Sequence, residues 1–215
     1  MNLSMELSTL FAHSAHDSIG QTRKDNKRPY HIHTDDVRAR TAQVTANPHI
    51  LAGADLHDVE EDVAPKHSAI PRDLARTFGL DLEFGWEYNL HAIENSLGGT
   101  VARYVSQLTD VYTKEAHPDK NRKTRKQLER ERYKTFDREV KWIKLVDIAS
   151  NLNDDGTVLE SDGKVEAGFN YMFIKEKALC LPYLFDGSDE KNVFLYEQAK
   201  EILIRQAKKF DVRLS

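Results

Sequence analysis

Apolar residues recur along most of this chain at three- and four-residue intervals, the spacing of one face of an α-helix. Leu7, Leu10, Phe11 and Ala15 define a first helix from Leu3 to about Ile19, with Gly20 as its stop. QTRKDNKRPY, 21–30, is a basic loop whose Pro29 disfavours a helical residue before it. A second helix runs from Thr34 to about Thr45, with Asp35 and Asp36 at its positive end. A third runs from His49 to about Asp62. From Val63 to about Asn95 the pattern weakens. Pro65, Pro71, Gly79 and Gly85 interrupt it, which predicts a loop with one or two short helices. A helix over about Gly99–Asp110 follows, striped by Val101, Val105 and Leu108. After a break near Pro118 come a long basic helix and a core helix from about Phe136 to Leu152. NDDG, Asn153 to Gly156, is a turn, and two helices close the chain, about Val165–Leu184 and Glu190–Lys208. No stretch alternates like a strand. The expectation is an all-α fold.

Composition narrows this. At 215 residues with 40% hydrophobic positions, one domain over 1–215 with its own core is expected. Cys180 is the single cysteine, so no internal disulfide or CxxC metal site exists. No apolar run approaches the length of a membrane helix. The N-terminus lacks the basic start and long apolar stretch of a signal peptide, so a cytoplasmic protein is expected. The net charge of −4 is unevenly placed. Between Lys114 and Lys144 twelve Lys/Arg face six Asp/Glu, a local +6 that leaves −10 elsewhere. A basic segment in an acidic chain suits a small polyanion better than a nucleic acid. The plain alternative is a solvated helix laced with ion pairs.

Three segments carry polar side chains where a core should be. In ADLHDVEED, Ala54 to Asp62, a helix would stack His57 over Glu61 and Asp58 over Asp62. Crowded carboxylates destabilise a helix unless something neutralises them, and a divalent cation does so directly. In KLVDIASNL, Lys144 to Leu152, the stripe Phe136, Val140, Ile143 continues to Asp147 and Asn151. A buried carboxylate needs a partner, and a metal ion or an arginine would serve; the plain alternative is a structural salt bridge inside the core. In PYHIH, Pro29 to His33, His31 and His33 are both candidates, just after a Pro-fixed loop. The remaining histidines, His16 among them, read as surface or packing residues.

In this order the segments resemble the HD superfamily of metal-dependent phosphohydrolases, and more narrowly the hydrolase domain of the RelA/SpoT alarmone enzymes and the small, Mesh-type alarmone hydrolases. The motifs are AHDSIGQTRKDNKRPYHIH, LHDVEED and KLVDIASN. LGGTVARYVSQLTD, NRKTRKQLERER and YMFIKEK agree more weakly. The resemblance spans about Phe11 to Gln206 and implies an HD-domain helical bundle with a divalent metal site in its central cleft.

The family pattern makes His33, His57, Asp58 and Asp147 the metal ligands and selects His33 over His31. It implies one Mn²⁺ ion. Two imidazoles and two carboxylates suit a borderline-hard divalent ion. Glu61 and Asp62 match the acidic pair that handles water and leaving group. Arg23 and Lys24 match a stacking guanidinium beside a phosphate-facing ammonium. Arg122, Arg125 and Arg132 match a basic helix that holds the distal pyrophosphate, and Asn151 matches a ribose or phosphate contact.

The sequence departs from the pattern at Asp55, Val63, Val146 and Ile148–Ser150, and 64–95 is a longer insert than the family's. The implied function is a free-standing hydrolase that removes the 3′-pyrophosphate from (p)ppGpp or (p)ppApp, acting on a small nucleotide and on neither nucleic acid nor membrane. Self-association stays open. Alternatives are an NADPH 2′-phosphatase, another HD nucleotidase, or an alarmone-binding, toxin-neutralising protein of weak activity.

Overall fold

The computed structural model describes residues 5–23, 28–153 and 167–214. Their regular structure is helical, apart from two isolated antiparallel bridges, Thr22–Pro29 and Ala69–Glu87. They fall into two compact units: 5–22 with 28–109, and 23 with 110–153 and 167–214.

The first unit holds α1 (Met5–Ser18), α2 (His31–Thr41), α3 (Pro48–Leu56), α4 (Arg72–Thr77), α5 (Leu90–Leu97) and α6 (Gly99–Leu108). α3 is its axis and packs against α1, α2 and α6. Local chemistry sets its start: the Asn47 side chain accepts from His49 N–H and Pro48 occupies the first turn. Ile50 to Leu56 are all buried, Asp55 included. Asp55 stands where an apolar residue was expected, and its neighbours answer the charge. Ser8 donates to it at 2.6 Å and Thr9 at 3.2 Å, and Arg38 pairs with it. Burial still raises its proton affinity.

The segment 64–95 is woven into this core. The N–H of Ile70 donates to Trp86 O at 2.7 Å and that of Tyr88 to Ser68 O at 3.0 Å. Phe78 and Tyr88 close on Phe11, with ring centroids 4.9 and 5.3 Å away. Asn89 caps α5 through Ala92 N–H.

The second unit holds α7 (Arg122–Tyr133), α8 (Arg138–Asn153), α9 (Ala167–Leu184) and α10 (Glu190–Lys209). α8 is buried on nearly every side, from Val140 to Leu152, and packs against α9 and α10. Asn121 caps α7 and Asp189 caps α10. Asp189 also accepts from the Trp142 indole at 2.6 Å, which fixes α10 to α8.

The order of helices follows the periodicity. Two departures matter for the site. α2 begins at His31, three residues before the expected Thr34. The third helix does not run to Asp62 as an α-helix. It stops at Leu56, turns at His57–Asp58, and continues as a π-helical turn over Val59–Val63. The stacking of His57 over Glu61 in one continuous α-helix is therefore replaced by a wider coil, in which Ala64 N–H reaches back five residues to Val59 O. The turn NDDG lies outside the described residues from 154 onward, and Asn153 ends α8.

Candidate metal centre

The centre is assembled in the first unit from a loop, a helix start and a helix end. α1 ends in a Schellman motif. Gly20 takes φ +60°, its N–H bonds Asp17 O at 3.0 Å, and Gln21 N–H bonds His16 O at 3.0 Å. Only glycine adopts that φ at no cost. The chain then loops back, and Tyr30 N–H bonds Gln21 O at 3.1 Å. α2 starts at once, which carries His33 inward on its first turn.

His33 and His57 are both 2% exposed. His57 donates Nδ1–H to Ala54 O at 2.8 Å, which leaves its Nε2 as a lone pair. That nitrogen lies 3.2 Å from His33 Nε2 and 2.9 Å from Asp58 Oδ2, and Asp58 Oδ2 is 3.7 Å from His33 Nε2. The three donor atoms lie within 4.8 Å of one another. His33, His57 and Asp58 thus form a group that can hold a metal ion, and the tautomer of His57 fits that task. His31, the other candidate, points elsewhere: it stacks on His13 at 4.5 Å and contacts Asp17 at 3.3 Å.

The acidic pair splits across the π-helical turn. Glu61 is exposed, and Asp62 is half-buried. Gln21 Nε2 donates to Asp62 Oδ2 at 2.8 Å. The Tyr30 hydroxyl donates to Asp58 Oδ2 at 2.5 Å and also serves Asp62. One phenolic proton is therefore shared between Asp58 and its acidic neighbour Asp62. Burial, then the Asp58 charge, pushes the Asp62 carboxyl up to about 6.

Two participants carried no role from the sequence. Tyr30 sat in the quoted PY loop, and its aromatic neighbours His16 and His33 are what turn it to the centre, at 4.6 and 5.6 Å. His16 was expected as a surface or packing residue. It is fully buried and Nδ1 meets Gln21 Oε1 at 2.7 Å. Burial pushes its imidazole down to about 4, against the opposing pull of the Gln21 bond and the Asp58 charge.

This has a measurable consequence. The unfolded chain protonates such a histidine near 6.5, the folded protein only near 4, so stability falls as pH drops through that window and not above it. Metal-free protein at pH 5 is expected to lose about 2 kcal/mol from this group relative to pH 7.5. Denaturant midpoints should show His16→Asn losing less between the two pH values than the native chain. An equal loss in both would contradict the buried neutral histidine.

The other predicted residues that are described lie in the second unit. Asp147 is 3% exposed, paired with Lys144 at 3.0 Å and accepting from Asn151 at 2.5 Å. Asn151 also accepts from the buried Arg23 at 3.1 Å. The stripe argument correctly buried Asp147, and the lysine one turn before it is the cation it finds. Lys24 lies outside the described residues. Arg122 forks onto Glu176, with Nη2 at 2.9 Å from Oε2. Arg125 donates to Lys120 O. Arg132 pairs with the buried Glu129 and covers Phe136 at 4.9 Å. Glu129 in turn accepts from Val111 and Tyr112 N–H.

No family model matches the chain, and no curated protein matches it in sequence. Among solved structures it matches a metazoan ortholog of SpoT, a protein that hydrolyzes ppGpp and plays a role in starvation responses. The TM-score is 0.68 at 21% identity, over 94% of each chain. The two share an all-helical fold. Among the described residues, no helix is long and apolar enough to cross a membrane.

Proposed function

We propose that this chain is a metal-dependent phosphohydrolase that removes the 3′-pyrophosphate from (p)ppGpp or its adenosine counterpart (p)ppApp. The observation that carries the reading is the convergence of His33 Nε2, His57 Nε2 and Asp58 Oδ2, with Asp62 held beside them, in the fold of a ppGpp hydrolase. The motif KLVDIASN adds Asp147 as the fourth ligand, and Mn²⁺ as the ion follows from the resemblance. When bound, a divalent ion supplies an acidified water and neutralises charge on the phosphate.

The chain's own residues do the rest. Tyr30 holds Asp58 in the orientation the ligand group needs. Asp62 and Glu61 carry the protons: one orients or deprotonates the attacking water, the other protonates the leaving 3′-oxygen. Water adds to phosphorus, the bond to the 3′-oxygen breaks, and pyrophosphate leaves. Arg23 and Lys24 engage base and phosphate, Asn151 the ribose or phosphate, and Arg122, Arg125 and Arg132 the distal pyrophosphate, with Arg122 and Arg132 exchanging their carboxylate partners and Arg125 its backbone carbonyl for phosphate oxygens. We read 1–215 as one cytoplasmic hydrolase domain, with 64–95 as its insert and no nucleic-acid partner.

A substrate panel tests this. With Mn²⁺, ppGpp, pppGpp, ppApp, NADPH and dNTPs are incubated with the protein and the products identified. The expected result is pyrophosphate plus the 5′-diphosphate from ppGpp or ppApp, abolished by EDTA and restored by Mn²⁺. Orthophosphate from NADPH alone would move the substrate to that cofactor. Tight stoichiometric binding without turnover would make the protein a sequestering one.

A further inference from the structure

We infer that Gln21 is a positioning residue for Asp62, with His16 behind it as the donor that fixes the Gln21 amide. The inference rests on the reading of Asp62 as an acid/base group. Gln21 has an anchored root: its N–H is bonded to His16 O and its carbonyl accepts from Tyr30. Its side chain then spans to the π-helical turn, which is 41 residues away in sequence.

The amide can be oriented by logic. An ionised carboxylate only accepts, so the amide nitrogen faces Asp62 Oδ2 and the oxygen faces His16. An amide oxygen also only accepts, so His16 carries its proton on Nδ1. Its Nε2 is buried with no hydrogen-bond partner, the state a neutral imidazole tolerates better than an imidazolium.

The relay His16–Gln21–Asp62 is therefore directional. Each donor has one acceptor, and the last acceptor is the carboxylate beside the ligand group. Without the amide, Asp62 loses the bond on Oδ2 and keeps only its share of the Tyr30 hydroxyl, which Asp58 also uses, so its carboxylate is free to rotate. The relay selects one rotamer. A simple staple between two loops would need no acceptor at the acid/base position and no buried histidine donor behind it.

The test uses the Mn²⁺-loaded full chain, ppGpp, and the variants Gln21→Met, Gln21→Glu, His16→Phe, His16→Asn and Asp62→Asn. Methionine keeps the shape of glutamine and removes both bonds. Glutamate places an acceptor against Asp62. Asparagine at 16 sets an amide nitrogen where Nδ1 stood, and phenylalanine does not. Gln21→Met is expected to lower kcat about ten- to hundredfold with KM and bound metal within about twofold of native, and to add nothing to Asp62→Asn. His16→Phe is expected to lower kcat likewise, and His16→Asn to retain most of it.

Native kcat in Gln21→Met while Asp62→Asn is inactive would overturn this inference and leave the acid/base reading standing. Losses that multiply in the double variant, or loss of bound metal, would overturn it too, as would equal losses in His16→Phe and His16→Asn. Full activity in Asp62→Asn, or no hydrolysis by the native chain, removes the underlying reading and the inference with it. Should Gln21→Met fail to fold, Gln21→Glu decides by the same comparisons.

Discussion

Asp58→Ala is expected to lose metal-dependent hydrolysis by at least about a thousandfold, while its circular dichroism stays helical. Asp58 Oδ2 is the only carboxylate oxygen among the described residues grouped with the two imidazole nitrogens. Removing it takes one of the two carboxylates from the proposed ligand set and leaves only the two neutral imidazoles of the group His33, His57 and Asp58, a poor set for an oxygen-seeking divalent ion. Metal catalysis is worth several kcal/mol of transition-state stabilisation, and each 1.4 kcal/mol is a factor of ten. The fold should tolerate the change, since the residue lies in the turn after α3 and not in the buried run Ile50–Leu56. The decisive measurement pairs turnover with bound metal by elemental analysis. Unchanged turnover in a well-folded, metal-depleted variant would remove the centre from the reaction.

Asp62→Asn and Glu61→Gln should behave differently from that and from each other. Both are expected to keep the metal. Asp62→Asn should lose about a hundred- to ten-thousandfold in kcat, the usual worth of a positioned proton-transfer group. Its carboxylate is held by Gln21 and shielded, whereas Glu61 is exposed on the outside of the turn. Glu61→Gln should therefore lose less. Metal loss in either variant equal to that of Asp58→Ala would make that residue a ligand. Equal kinetic losses in the two would mean that the π-helical turn does not differentiate them.

Much of this centre could be read from the chain because its determinants are local. Gly20 reads as the stop of the first helix, a signal that acts within a few residues. The stripe leading to Asp147 is periodic, so its burial followed. His33 could not be separated from His31 by periodicity and needed the family pattern. The π-helical turn was invisible because Val59 and Val63 are four apart, the same spacing an α-helix uses. His16 reads as a surface or packing residue, and it does pack, fully buried beside Tyr30; its bond to Gln21 was hidden because it forms only where the chain turns back after Gly20. The pairing of Asp147 with Lys144 was equally hidden, since a lysine one turn away is as often solvated as buried.

The wide coil at Val59–Val63 also fixes how this region tolerates length changes. A π turn is an α-helix carrying one surplus residue. Deleting any one residue there would tighten the coil to regular pitch and swing everything after the cut by about 100°. Val63 would leave the core, and the acid at 62 would exchange faces with its exposed neighbour. The stretch is thus a fixed-length spacer: its residues can be exchanged for others, but their number cannot be altered.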